Sequence, residues 1–125
     1  MASVRYIVLD IDEAVQFYRD LLGFSVEMHQ SGKFASLRRE DLTLFLNAPG
    51  AGSAGKAGGE PKPGGWTRFM IITKDLNQMI AELKSKGARF RGDIAEGAGR
   101  QILVEDPSGN VVELFEYKSS PNKSA

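Results

Sequence analysis

A glutamate in the middle of an apolar strand is the residue of this sequence that most needs a chemical explanation. Glu113 lies in the segment EDPSGNVVELFEY, where DPSG is typical of a tight turn and an apolar run follows it. Its carboxylate can face water, pair with a cation or bind a metal, because an unpaired buried charge is strongly unfavourable. These three alternatives lead to different functions.

The residue types of the sequence restrict how Glu113 could take part in a metal site. The sequence has no cysteine and a single histidine, His29, so a metal site would need mainly carboxylate ligands. The absence of cysteine also excludes disulfides, thiolate catalysis and cysteine-based metal sites, and it predicts a cytoplasmic location. We expect His29 at the surface or at a strand edge, since nothing in the sequence orients it as a base.

The bulk composition is that of one ordinary globular domain. The 125 residues are 42% hydrophobic and 26% charged, and 16 basic residues balance 16 acidic ones. A net charge of zero provides no field that would attract nucleic acid or an anionic membrane surface. No apolar run is long enough to span a bilayer, and the first residues lack the layout of a signal peptide. We therefore expect neither a nucleic-acid partner nor a membrane.

The elements that would position Glu113 occur twice in the chain. Each copy opens with a β-rich run and reaches an aspartate suited to cap a helix, Asp10 in the first and Asp75 in the second. Apolar residues then follow at helical spacing until a glycine, Gly23 or Gly87, where a left-handed C-terminal cap is expected. Three strand candidates come after each helix. The sequence thus predicts two β-α-β-β-β modules.

Composition places the boundaries of these modules. We expect the first module over residues 1–47, a Gly- and Pro-rich linker over 48–65, the second module over 66–117 and a disordered tail over 118–125. The linker composition does not allow a packed element. The predicted fold class is α+β.

This organisation resembles the vicinal oxygen chelate superfamily, the group of the glyoxalases, bleomycin-resistance proteins and extradiol dioxygenases. The segments DIDEAVQFYRDLLGF and DPSGNVVELFEY carry the resemblance, which covers about residues 3–117. It implies paired modules that curl mixed sheets into half-cups, with the helices on the outer face. It also implies a homodimer. Many chemistries share this scaffold, so the resemblance does not by itself assign an activity.

The resemblance further implies that metal ligands would come from the first and last strands of each module. The positions that match are Ser3, Leu44, Arg68 and Glu113, and only Glu113 has the expected residue type. Leucine has no donor atom, neutral serine is a poor ligand, and arginine repels a cation. We therefore expect no bound metal and no cofactor.

An arginine at a ligand position predicts a replacement charge inside the cup. Arg68 and Glu113 are expected to form an ion pair, because a guanidinium fits a carboxylate at two points. The pair is either a structural bridge or a contact for an oxygen of a ligand. Arg68 and Glu113 are also the candidate residues for any catalysis. Side-chain alternation along the strands is expected to place Arg5 and Leu44 together on the inner face. The predicted ligand-binding residues are Arg5, Leu44, Arg68, Met70, Glu113 and Phe115.

Three functions remain open from the sequence. The first is a metal-free protein, similar to the bleomycin-resistance branch, that binds a small organic molecule, anionic or aromatic, in an apolar cup. The second is a metal-dependent lyase, isomerase or dioxygenase with an atypical ligand set around Glu113. The third is a non-catalytic interaction module with a collapsed cup. We favour the first, since an apolar wall with a few charged groups is the usual composition of a small-molecule site.

Overall fold

The computed structural model describes residues 2–51 and 59–118, and its elements follow the predicted order. Residues 52–58 of the predicted linker, and the predicted tail apart from Lys118, lie outside the described residues. The elements are β1 (Ala2–Ile7), α1 (Ile11–Gln16) with a π-helical turn (Phe17–Leu21), β2 (Ser25–Gln30), β3 (Phe34–Arg39), β4 (Leu42–Asn47), β5 (Met70–Ile72), α2 (Leu76–Ser85), β6 (Arg89–Glu96), β7 (Gly99–Glu105) and β8 (Val111–Tyr117). Within the described ranges, no helix is long and apolar enough to cross a membrane.

Each group of four strands forms a mixed sheet. The strand orders are β1-β4-β3-β2 in one sheet and β5-β8-β7-β6 in the other. The first strand of each group pairs in parallel with the last, and the remaining neighbours are antiparallel. The predicted α+β fold with two β-α-β-β-β modules is confirmed.

The chain separates into two compact units. The first unit consists of Met1–Gly65 together with Asp106–Asn110, and the second consists of Trp66–Glu105 together with Val111–Ala125. The turn between β7 and β8 therefore belongs to the first unit, although the sequence placed all of 66–117 in one module.

Both helices begin and end at the predicted residues. The Oδ1 atoms of Asp10 and Asp75 each accept a hydrogen bond from the backbone N–H three residues later, at 3.0 Å. This satisfies one of the N–H groups that a helix N-terminus leaves without a partner. After the helices, Gly23 and Gly87 have φ angles of +77° and +85°, which glycine adopts without strain.

Each unit buries one face of its sheet beneath its helix. In the first unit the fully buried side chains include Val8, Ile11, Ala14, Tyr18, Leu37, Leu44 and Leu46. In the second unit they include Leu76, Leu83, Val104, Val112 and Leu114. Because side chains alternate along a strand, the opposite face of each sheet does not pack beneath the helix. We call this second face the open face of the sheet.

The turn Asp106–Asn110 is held by a buried carboxylate. Asp106 is fully buried and accepts hydrogen bonds from the hydroxyl of Tyr18 at 2.8 Å and from the backbone N–H groups of Ser108 and Asn110 at 2.8 Å each. The side-chain amide of Asn110 donates a fourth, at 3.0 Å. Burial raises the pKa of Tyr18 well above its usual value, and the negative charge of Asp106 adds to this effect.

Candidate functional site

The open face of the second sheet is apolar and partly exposed. Parallel pairing places Met70 beside Glu113 and Ile72 beside Phe115. The exposed fractions of Met70 and Ile72 are 47% and 46%, whereas Ile71 between them is buried. Two apolar side chains on this face of β5 are thus about half exposed.

Glu113 has a cationic partner on this face. The Nε atom of Arg68 donates to Oε1 of Glu113 at 3.0 Å, and NH1 of Arg68 donates to the backbone carbonyl of Trp66 at 3.2 Å. Only 7% of Glu113 is exposed. A guanidinium is the strongest hydrogen-bond donor that a buried carboxylate can have. The predicted ion pair is therefore present, and of the three alternatives for Glu113 the carboxylate adopts pairing with a cation.

A second ion pair lies on the same unit, and sequence reasoning missed it. The Nε atom of Arg91 donates to Oε2 of Glu105 at 2.6 Å, and the Arg91 guanidinium lies 5.4 Å from the centre of the Trp66 ring. Arg91 pairs across the hairpin with Leu103, so its contact with Glu105 is diagonal. Such a contact can be predicted only once the β6–β7 register is known.

A small cavity adjoins this face at the β6–β7 hairpin. Its volume is about 140 Å³, and residues 95–99, Gln101 and Phe115 line it. Gly99 is buried at its base, where a Cβ atom would meet the backbone carbonyl of Glu116 and two ring atoms of Phe115 at 2.7 and 2.9 Å. The position of the Phe115 ring therefore depends on a glycine in this strand.

Replacing Gly99 with alanine is expected to lower the free energy of unfolding by about 1–3 kcal/mol, because the backbone of β8 cannot yield as a flexible side chain would. Gly97 in the same hairpin is the matched control, since a Cβ atom there would meet nothing within 4 Å. Gly97→Ala should leave the stability unchanged or slightly raised. Urea unfolding followed by circular dichroism measures both variants, and equal stabilities would contradict the close approach.

The open face of the first sheet carries a different polar group. Parallel pairing of β1 with β4 places Arg5 beside Phe45 and Ile7 beside Asn47. NH1 of Arg5 donates to Oδ1 of Asn47 at 2.7 Å, and the guanidinium lies 5.1 Å from the centre of the Phe45 ring. The side chain of Arg5 is thus oriented by an amide and an aromatic ring.

The prediction that Leu44 shares the inner face with Arg5 is wrong. Leu44 pairs with Val4 and is fully buried on the helix side of the sheet. The residue beside Arg5 is Phe45, one position further along β4. A shift of one residue moves a side chain to the opposite face, and the position that the resemblance implied is one residue away from the one that pairs with Arg5.

His29 lies in the edge strand β2, in agreement with the prediction, but it does have an orienting partner. Its Nε2 atom lies 2.7 Å from Oδ1 of Asp12, and the hydroxyl of Ser31 donates to Oδ2 of Asp12 at 2.8 Å. The hydrogen bond from Ser31 has the largest effect in lowering the pKa of Asp12, and the hydrogen bond with His29 lowers it further. His29 pairs with Ala35, which is buried on the helix side, so His29 is not on the open face.

Comparison with known proteins identifies the family of this chain. A family model described as the Glyoxalase/Bleomycin resistance protein/Dioxygenase superfamily matches residues 1–114 of the chain. The chain belongs to this superfamily. Virulence protein STM3117 of Salmonella typhimurium is 26% identical over 116 residues, which cover 88% of this chain and 78% of that protein. Its crystal structure aligns with a TM-score of 0.75 over 94% of this chain and 95% of that one.

Two further solved structures are similar to this chain. TnmS3 from Streptomyces sp. CB03234, described as an antibiotic binding protein, is 25% identical, with a TM-score of 0.72 and 93% of each chain covered. Lactoylglutathione lyase from Agrobacterium tumefaciens has a TM-score of 0.74 over 93% of this chain and 92% of that one. At 18% identity the lyase supports the fold alone.

The superfamily positions for a metal do not fit one in this member. With the register of β4 corrected, these positions are Ser3, Phe45, Arg68 and Glu113, since Phe45 and Glu113 stand beside matching residues of the first strands. In the first unit, Ser3 and Phe45 offer no carboxylate, and in the second unit Glu113 is already paired with Arg68. A divalent metal needs more ligands than either unit provides. Across residues 2–51 and 59–118, no three His, Cys, Asp or Glu side chains form a group that could hold a metal ion.

Proposed function

We propose that this superfamily member binds a small organic molecule on the open face of its second sheet, without a metal. The observation that carries the proposal is the half-exposed pair Met70 and Ile72 beside a buried, ion-paired Glu113. Small-molecule sites combine an apolar wall with a few fixed polar groups in this way. Arg68, Met70, Glu113 and Phe115 are the binding residues on this face.

The charge balance of the face favours binding over metal chemistry. Arg68 with Glu113 and Arg91 with Glu105 form two pairs of opposite charge. A metal would have to displace Arg68 from Glu113, which would leave a guanidinium next to a cation. Arg68 and Glu113 also remain the candidates for a metal-independent reaction, as electrophile and base. The similarity to an antibiotic binding protein supports an organic ligand.

We also propose a homodimer in the cytoplasm. All six residues of the edge strand β2 are exposed, and its backbone groups are available to a second chain. The absence of cysteine in the sequence fits a cytoplasmic location, where disulfides are rare.

The neutral fluorescent dye Nile red tests the apolar face. We expect saturable binding by the full chain, and Met70→Lys is expected to weaken it by about tenfold or more, because a charge replaces an apolar contact. Val26→Lys is the matched control: Val26 is an exposed hydrophobic residue of β2 that pairs with Leu37, on the helix side. Equal effects of the two substitutions would contradict binding at Met70.

Thermal unfolding with zinc, nickel, manganese and ferrous iron tests the absence of a metal. A ligand that binds only the folded state raises the unfolding temperature, so we expect no increase with any of the four ions. An increase that disappears in Glu113→Ala would overturn the metal-free proposal and favour a metal-dependent lyase, isomerase or dioxygenase.

A further inference from the structure

The two arginines on the open faces differ in their electrostatic surroundings. The charge of Arg68 is compensated by Glu113, whose carboxylate lies 3.0 Å away. Arg5 instead donates to the neutral amide of Asn47. Among the residues that the structure describes, no carboxylate lies within 4.0 Å of the Arg5 guanidinium. The positive charge of Arg5 is therefore not compensated by a carboxylate as that of Arg68 is.

The contacts of Arg5 fix its orientation without neutralising it. Asn47 is only 4% exposed, and its backbone carbonyl accepts a hydrogen bond from the N–H of Val8. Its backbone is therefore held in place, and so is the side chain that binds Arg5. The ring of Phe45 supports the guanidinium from one side. The bond to Asn47 uses NH1, which leaves Nε and NH2 as donors for a ligand. A cation held in place in this way loses little conformational entropy on binding.

A row of side chains continues from Arg5 across the open face. The strand pairings place Phe45, Ser36 and Met28 in line with Arg5, one residue from each strand. Phe34 stacks on Phe45 with ring centres 6.0 Å apart, and 52% of Met28 is exposed. With strands about 4.8 Å apart, the row is about 14 Å long, from a cation at one end to a thioether at the other. It matches a molecule with an acidic end and an apolar body.

We infer that the open face of the first sheet is a second binding surface, on which Arg5 binds the carboxylate of an organic acid whose apolar body lies along Phe45 and Met28. This inference goes beyond the proposed function, which places its ligand on the second sheet. The planar guanidinium presents Nε and NH2 to a carboxylate in a two-point arrangement. Asn47 is a positioning residue, since it holds Arg5 and makes no contact with the acid itself.

Isothermal titration calorimetry with phenylbutyrate and its neutral amide, phenylbutyramide, tests this site in the full chain. We expect phenylbutyrate to bind and the amide to bind about tenfold more weakly or worse. Arg5→Gln should lower the affinity for phenylbutyrate by about 10- to 100-fold, which corresponds to the loss of a charge-assisted hydrogen bond. Arg19→Gln removes the same charge from an exposed arginine outside the sheets and should leave the affinity within about twofold.

Asn47→Asp separates positioning from charge. The new carboxylate keeps an acceptor for Arg5 but neutralises it, as Glu113 neutralises Arg68, so the loss of phenylbutyrate affinity should match that of Arg5→Gln. Unchanged affinity in either variant, or equal affinity for acid and amide, would overturn the inference. If the wild-type chain fails to bind phenylbutyrate but binds Nile red with sensitivity to Met70→Lys, the anion site is refuted and the proposed function stands. If Met70→Lys also leaves Nile red binding unchanged, the anion site and the proposed function are both refuted.

Discussion

Replacing Asp106 with alanine is expected to lower the free energy of unfolding by about 3–5 kcal/mol. Asp106 is fully buried, and its two oxygens accept hydrogen bonds from Tyr18, Ser108 and Asn110. The substitution removes the acceptor that these donors share, and the hydroxyl of Tyr18 lies where water does not reach it. Urea unfolding followed by circular dichroism measures the loss.

Two further variants test whether the stability loss in Asp106→Ala comes from the buried carboxylate. Asp93 is exposed, and Asp93→Ala should change the stability by no more than about 0.5 kcal/mol. Asp106→Asn keeps one acceptor oxygen and removes the charge, so it should fall between the wild-type chain and Asp106→Ala. A loss below about 1 kcal/mol for Asp106→Ala would show that the turn finds other partners for its donors.

The second large effect is expected for Leu44→Ala, with a loss of about 2–5 kcal/mol in the free energy of unfolding. Leu44 is fully buried on the helix side of the first sheet, and truncation leaves a cavity that the surrounding side chains fill only in part. Leu42→Ala is the matched control in the same strand and on the same face. Leu42 is only half-buried, so its truncation should be less destabilising.

The same variants test the corrected face of β4. If Leu44 lined a ligand site, Leu44→Ala would reduce phenylbutyrate affinity and leave stability within about 0.5 kcal/mol of the wild type. The pairing of Phe45 with Arg5 predicts the reverse, a stability loss for Leu44→Ala and an affinity loss for Phe45→Ala.

Local signals account for the parts of the fold that were predictable. The capping aspartates Asp10 and Asp75 and the glycines Gly23 and Gly87 act within a few residues of the chain, so their types determine where each helix begins and ends. Strand positions followed for the same reason, since apolar runs between turn residues need no knowledge of the partner strand. The Arg68–Glu113 pair was predictable because both residues stand at positions that the family assigns to one site.

Contacts that depend on register were not predictable in this way. In the strand LTLFLN, alternation places the three leucines on one face and Thr43, Phe45 and Asn47 on the other. The position of Leu44 beside Arg5 was taken from the family resemblance, and only the pairing of β1 with β4 shows that the leucines lie on the helix side. The pairs Arg91–Glu105 and His29–Asp12 join different elements and leave no pattern in the sequence. Charged and polar side chains of this kind meet only after the strands and helices have packed.

The turn Asp106–Asn110 gives the protein an order of assembly. The Tyr18 hydroxyl and the Asp106 carboxylate are separated by 88 residues of sequence, yet both belong to the first unit. A nascent chain therefore cannot complete the first unit until most of the second has been translated, and contacts between distant residues also form slowly. A gene split at Gly65 would encode a first half whose buried tyrosine lacks its acceptor. Translation of the two modules as one polypeptide thus supplies the first of them with the acceptor for its buried tyrosine.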